Sequence, residues 1–542
     1  MATFSHAALA DTIGDRHTFF VNPTYDVSAR TSAPAVLEYV SDHAYFYVEE
    51  TYLNNLSPFQ RRTLDQQLVA TGQDFDTTIY SKETATWGTE PNPGIDNDPR
   101  VTIFLERLSS GTGGYFDSTN DYPTAQATSS NQREMIIANI ASLNNNHLDT
   151  FLAHEFQHLI SFNQKELLHN VSDETWLNEL RSQYSITLDG YNDNFIDSDL
   201  RQRVDTFLNN STDSLTEWPN VNTDYASATL FGQYLVDRFG TAILADSLHS
   251  SLTGIASINQ WLASHQQSER FNDVFADWVW TNYINNRSSD PRFGYINPNL
   301  QSIHVSPTTT SLLTSAATNT FSYSLKPFQP NWEQFIGDTS AGKKNIKISW
   351  QNPSFQVFYA DASGTMHALQ DGGVISAPSI GSNFVLMPVN ETKTSGFGAS
   401  EIATPLSLTI EYTDQPLVAA TPTPSPSDVH DGSLIMHAGT PDIYVVTGAY
   451  KRLLLPEVLK FYGLDASQAV TVSEAVFQSY RVSNYVRDVN EKKVYALWPD
   501  GTKHWLNMTA QQFTDSFRDW NSVFIINDLE SNFYKIGSDI TQ

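Results

Sequence analysis

The pentapeptide His154-Glu155-Phe156-Gln157-His158 sets two imidazoles four positions apart, with a carboxylate beside the first. On a helix, positions i and i+4 share a face, so both rings can reach one ion. The adjoining Glu155 is then placed to hydrogen-bond a water on that ion. A catalytic zinc takes three protein ligands and leaves one position open. Glu179, 21 positions after His158, closes the run Glu174-Thr175-Trp176-Leu177-Asn178-Glu179 and is the candidate third ligand, with Glu174 as the alternative. Between them, Lys165–Ser172 gives the chain room to turn back, and Ser172 and Asp173 are of the types that cap a helix. The chain has no cysteine, so a metal here takes His, Asp, Glu or carbonyl donors.

These residues need rigid elements to hold them. Leu148–Phe162 and Glu174–Leu188 read as helices, as do Tyr225–Phe239 and Phe271–Ile284, within a helical part spanning residues 146–300. Residues 1–145 read as mixed α/β. Strand-like runs occur at Thr18–Val21, Val36–Val48, Val101–Leu105 and Met135–Ile140, and Ser57-Pro58 opens a helix through Leu68. Residues 301–412 alternate apolar and polar between turn-forming clusters, which predicts a β-sandwich. The Pro/Thr/Ser stretch at 413–430 reads as an extended linker. Residues 431–542 contain a weak tandem repeat of about 50 residues: Tyr444 with Lys451-Arg452 resembles Tyr495 with Lys503-His504. The expected fold class is multidomain: an α+β catalytic unit with a mixed sheet and a helical lower part, a β-sandwich, and a small tandem-repeat module.

H-E-F-Q-H followed by W-L-N-E resembles the gluzincin metallopeptidases, most closely the hyicolysin-like bacterial secreted peptidases, over roughly residues 95–285. The resemblance implies His154, His158 and Glu179 as zinc ligands and Glu155 as the general base. It also implies that Gly113, Gly114 and Tyr115 line a substrate-binding edge strand, where an extended peptide adds as a further strand. Tyr225 is the candidate oxyanion donor, with Tyr184 as its substitute. Two positions depart from the pattern: Gln183 stands where such enzymes carry Asp, and Leu180 where many carry Gly. The activity implied is that of a zinc endopeptidase acting on protein or peptide substrates. No G-x-M-E-N element of the kind that holds a free amine is present, which disfavours an aminopeptidase. The alternative of another class is a surface adhesion protein whose peptidase-like domain no longer turns over.

Composition narrows the partners. Over 542 residues there are 31 Lys+Arg and 60 Asp+Glu, a formal net charge of −29. Residues 1–300 carry 16 basic and 38 acidic side chains. That balance argues against nucleic acid and anionic lipid as partners. No apolar run is long enough to span a membrane. The expected location is secreted or cell-surface, with the export signal not part of this sequence and with the C-terminal module serving surface attachment. The acidic turns Gly94–Asp98 and Asp117–Asp121 make Ca²⁺ a second candidate ion, although neither completes a calcium loop. Trp498, Trp505 and Trp520 are expected to be core rather than a sugar platform.

Overall fold

The structure is a computed structural model. It describes residues 10–541 apart from 145–146, 268, 289, 315–317, 339–344, 353, 361–365, 377–382, 392–399, 417–428, 430, 438–440, 473–475, 478–479, 489–490, 499 and 516–517. The chain forms two compact units, Met1–Phe207 with Tyr225–Ser257, and Leu208–Asp224 with Ile258–Gln542.

The first unit is built on strands β1 (Arg16–Phe20), β2 (Ser32–Val40), β3 (Ala44–Glu49), β4 (Val101–Glu106), β5 (Gly114–Phe116) and β6 (Met135–Asn139). They form a mixed sheet in the order β1-β2-β3-β4-β6-β5. β3, β4 and β6 run parallel, and β5 returns antiparallel on β6 at the end of the sheet. Every residue of β3 and β4 is buried, as central parallel strands with both faces covered require. The region Val36–Val48 is two strands rather than one. The Asp76 carboxylate accepts from the Asp42 and His43 N–H groups and the Ser41 hydroxyl at the turn between them.

The helices through residue 284 are α1 (Glu50–Leu53), α2 (Pro58–Asp74), α3 (Ser81–Trp87), α4 (Leu148–Ser161), α5 (Thr175–Asp189), α6 (Asp199–Asn209), α7 (Asn222–Phe239), α8 (Ala242–Leu248), α9 (Gly254–Ser264) and α10 (Phe271–Ile284). α2 begins as its sequence dictates. The Ser57 hydroxyl accepts from Gln60 N–H, the Gln60 amide oxygen accepts from Ser57 N–H, and Pro58 opens the first turn. α1, α3, α6, α8 and α9 lie outside the helices expected from the sequence; α1 has four residues and α3 and α8 seven each, too short for a periodic signal.

α4 buries Leu148, Leu152, Phe156, Leu159 and Ile160 and packs on β5, β6 and α5. The Phe156 ring meets those of Phe75 and Tyr80 at 5.3 and 5.5 Å. The helix runs on into a π-helical turn, Phe162–Leu167. Asn170 then takes a left-handed φ of 54°, and Val171 N–H bonds back to Lys165 C=O, which reverses the chain towards α5. The N-cap of α5 is Glu174, not Ser172 or Asp173. The Asp173 carboxylate is engaged elsewhere: it accepts from Glu174 N–H, Gly254 N–H and Arg181 Nη1.

In the second unit, residues 258–300 group with β-rich chain. The Phe271 and Phe275 rings of α10 pack edge-on against Phe328, and Trp332 Nε1 donates to Val279 C=O. The next strands are β7 (Thr309–Leu312), β8 (Asn319–Leu325), β9 (Glu333–Ile336), β10 (Asn345–Ser349), β11 (Phe355–Ala360), β12 (Met366–Leu369), β13 (Gly373–Ser376), β14 (Asn383–Asn390) and β15 (Thr404–Thr413). They form two sheets, β13-β10-β15-β8 and β12-β11-β14-β9-β7. One core joins them, with Ile346, Ile348, Leu406 and Leu408 from the first sheet and Phe335, Val357 and Leu386 from the second. β15 shows the period-2 burial that a sheet with one covered face demands.

Most of the linker expected at 413–430 lies outside the described residues. Beyond it run β16 (Leu434–His437), β17 (Ile443–Thr447), β18 (Tyr450–Leu454), β19 (Val470–Val472), β20 (Arg481–Val482), β21 (Tyr485–Asp488), β22 (Val494–Leu497), β23 (Thr502–Trp505), β24 (Val523–Ile526) and β25 (Lys535–Ile536). They form two five-stranded sheets, β19-β16-β17-β18-β20 and β24-β21-β22-β23-β25. In each, three antiparallel strands are flanked by two short parallel ones. Trp498 and Trp520 are not core residues: they are 46% and 44% exposed. Trp498 stacks on His504, and Lys493 lies over the Trp505 ring.

Candidate metal centre

α4 and α5 bring three of the singled-out side chains together. His154 Nε2 and His158 Nε2 lie 3.1 Å apart, and Glu179 Oε2 sits 3.3 and 3.5 Å from them. Among the described residues this is the one group of three His or acidic side chains close enough to share an ion. A tetrahedral ion with bonds of about 2.0–2.1 Å sets its ligand atoms about 3.3 Å apart, so the triangle has the size of such a face. Glu179 Oε2 is buried and accepts no aligned hydrogen bond, an orphan that a cation would satisfy. The donor set and its spacing fit a metal.

The electrostatics point the same way. Burial disfavours the charged Glu179 carboxylate, yet the two histidines hold its pKa well below the usual range. Burial likewise opposes the His158 imidazolium, and the Glu179 charge overrides it, pushing the ring up to about 9. The cluster therefore draws positive charge to its centre. Glu174, the alternative ligand, is not part of it: its carboxylate accepts from Trp176 Nε1 at 2.6 Å.

The far sides of the rings are also held. The Ser182 hydroxyl donates to Gln157 Oε1 at 2.6 Å, so its oxygen accepts from His158 Nδ1 at 3.1 Å. In the neutral ring, the form a bound cation would select, that leaves the His158 Nε2 lone pair facing the cluster, the tautomer a ligand needs. Gln183, at the position where the family pattern has Asp, lies 3.3 Å from His154 Nδ1. The atom that faces His154 is the amide nitrogen, since the amide oxygen accepts from Arg203 Nε and the Thr229 hydroxyl. Ser182 and Gln183 follow Glu179 by three and four positions, one helical turn, and that spacing was the available signal for both.

Glu155 is 7% exposed. Burial raises its pKa, the two histidines oppose the rise, and Phe116 N–H bonds its carboxylate. β5 comes this close to α4 because of its glycines. A Cβ on Gly114 would lie 3.2 Å from Glu155 Cγ, and one on Gly113 would stand 2.1 Å from the Phe151 ring. Gly114, the first residue of β5, thus sits beside Glu155, with Gly113 just ahead of it against Phe151, and among the described residues β5 has one edge without a strand partner. The Tyr115 side chain turns away: its hydroxyl accepts from Asn22 N–H and its ring lies 5.0 Å from Tyr25.

Tyr225 opens towards the cluster, its ring centroid 6.5 Å from that of His154. Burial and the Glu179 and Glu155 charges raise its pKa, so the phenol stays protonated. Arg203 of α6, which no sequence motif marked, lies 4.9 Å over the Tyr225 ring, and its Nε reaches Gln183 Oε1 at 3.3 Å. Tyr184 pairs instead with Thr241. The acidic turns spend carboxylates locally, Asp96 on Asp98 N–H and Asp117 on Thr119. Burial next to Glu134 pushes Asp121 up to about 9.

No protein-family profile matches the chain. Residues of this chain are 28% identical over 262 positions to the neutral metalloprotease ShpI of Staphylococcus hyicus. The similarity supports a metallopeptidase. It covers 43% of this chain, which spans about half (54%) of that relative's length. Among solved structures, a periplasmic inhibitor of g-type lysozyme from Salmonella Typhimurium, PliG, aligns over 19% of this chain and 99% of its own. Its identity is 12% and its TM-score 0.15, too low to carry a fold argument. No helix among the described residues is long and apolar enough to cross a membrane.

Proposed function

We propose that this chain is a zinc-dependent endopeptidase of the gluzincin type, close to the hyicolysin-like peptidases, that acts outside the cell. The observation that carries the reading is the convergence of His154, His158 and Glu179 on one point, with Glu155 buried beside them. When bound, zinc polarises the scissile carbonyl and acidifies the attacking water. Glu155 accepts that water's proton at a carboxylate oxygen and delivers it to the departing amine nitrogen. Ser182 and Gln157 hold His158 in one tautomer, and the Gln183 amide packs against His154 Nδ1. The Tyr225 hydroxyl, kept protonated, donates to the oxyanion that develops on the carbonyl. The open edge of β5 accepts the substrate backbone as an added strand, with Gly113 and Gly114 leaving room for it against α4.

The domain scheme belongs to this reading. Residues 1–300 hold the catalytic machinery, 301–412 a β-sandwich, 413–430 a linker, and 431–542 a tandem-repeat module for surface attachment. Two observations support the repeat. The two C-terminal sheets share strand order and pairing sense. The paired lysines Lys451 and Lys503 each donate to a backbone carbonyl, of Tyr480 and Ser531.

The test is metal analysis of the purified protein together with cleavage of N-terminally blocked peptides. One zinc per chain and internal cleavage, both lost in the double variant His154→Ala/His158→Ala, are expected. Full cleavage by a metal-free protein would exclude the proposal.

A further inference from the structure

The cluster does not stand alone: His158 and Asn178 form one wall of a cavity of about 270 Å³. Its apolar surfaces come from Phe116, at the end of β5, and from Phe162, whose rings lie 5.9 Å apart. Asp117 and Glu166 also line it, and neither forms an ion pair among the described residues. Asp117 caps Thr119 with Oδ1, which leaves Oδ2 without a partner among those residues. Glu166 shares a hydrogen bond with Ser172.

The cavity's other charges are already matched. Asp173 is bound by Arg181 at 2.6 Å. Lys165 spends all three ammonium donors on the carbonyls of Ser247, Ser250 and Leu252, at 2.6–2.8 Å. It is 2% exposed, so its charge faces the protein rather than the cavity. What remains for an occupant is two aromatic faces and two carboxylates.

Resting on the endopeptidase reading, we infer that this cavity is the subsite for a lysine or arginine side chain next to the scissile bond, with Asp117 and Glu166 as its specificity determinants. A long aliphatic stem lies along Phe116 and Phe162, and the cationic head meets the ring faces and the carboxylates. Phe116 ties the subsite to catalysis, because its N–H holds Glu155. An occupied cavity therefore sits beside the base that must be in register. The acidic excess of residues 1–300 draws the same class of peptide in solution.

The test uses the full-length, zinc-loaded protein and blocked peptides that carry Lys, Arg, Leu or Glu on either side of the cleaved bond. The wild type is expected to prefer Lys or Arg at one of these positions by about tenfold or more in kcat/KM. Glu166→Lys should reverse that ranking, and Asp117→Asn, which keeps the cap, should reduce it. Cleavage without preference for a basic residue overturns this inference and leaves the endopeptidase reading intact, as does an unchanged ranking in Glu166→Lys. Absence of any cleavage by the wild type overturns both. Should Glu166→Lys fail to fold, the wild-type profile and Asp117→Asn decide.

Discussion

At the scale of single residues, the site combines groups whose loss should read out differently. Glu155→Gln keeps the shape and the Phe116 contact but removes the proposed base. It is expected to lower kcat/KM by about 10²–10⁴ with zinc content unchanged. Ser182→Ala removes the acceptor for His158 Nδ1–H. Competition against a chelator should show zinc held about 10–100-fold more weakly. Equal affinity in both proteins would mean that the His158 tautomer is set by something else. The histidine pair was legible from spacing alone because i and i+4 share a helical face. Arg203 was not legible: it stands over Tyr225 through the packing of α6, which no local pattern announces.

The next scale is the element, where the approach of β5 to α4 shapes the proposed active site. Two adjacent glycines permit it, since any side chain at Gly113 enters the Phe151 ring. Gly113→Val is expected to cost about 1–3 kcal/mol of stability by overpacking. Activity should fall by more than thermal unfolding alone predicts, because the strand displaces Phe116 N–H from Glu155. Kinetics run well below the melting temperature separate the two effects. The sequence marks this glycine pair only as a turn or an edge. Its function follows from a helix that lies more than thirty residues downstream.

For the molecule as a whole, metal and pH act through linkage. On the zinc-peptidase reading the folded cluster holds the ion, so free zinc at 100 times its Kd should stabilise the first unit by about 2.7 kcal/mol. Removal with a chelator should lower Tm, and zinc, not magnesium, should restore it. A second linkage lies away from the site. Burial, and then the Asp26 charge, push Glu106 up to about 9, while Arg30 holds Asp26 ionised. A carboxyl raised in the folded state keeps a proton that the unfolded chain has released. Its contribution is complete below the unfolded value, near pH 4.5, and is lost as pH rises towards 9. Glu106→Gln should therefore melt higher than wild type at pH 8, with the difference shrinking towards pH 5. A constant difference across that range would contradict it.

The residue pattern alone determined the ligand types, the two helices that carry them, the capping box of α2 and the alternation of β15. Each is local: a spacing, a cap or a period is complete within a few turns of chain. Tertiary structure decided between the two carboxylates: Glu179, on α5, faces the histidines, while Glu174, the cap before it, accepts from Trp176 Nε1. It also decided that residues 258–300 group with the β-rich unit, through the aromatic contacts of α10 with Phe328. Likewise, it placed Phe116, Phe162, Asp117 and Glu166 around one cavity beside His158. Side chains tens of positions apart acquire a common chemistry only when burial and packing set their distances, and no local pattern encodes those distances.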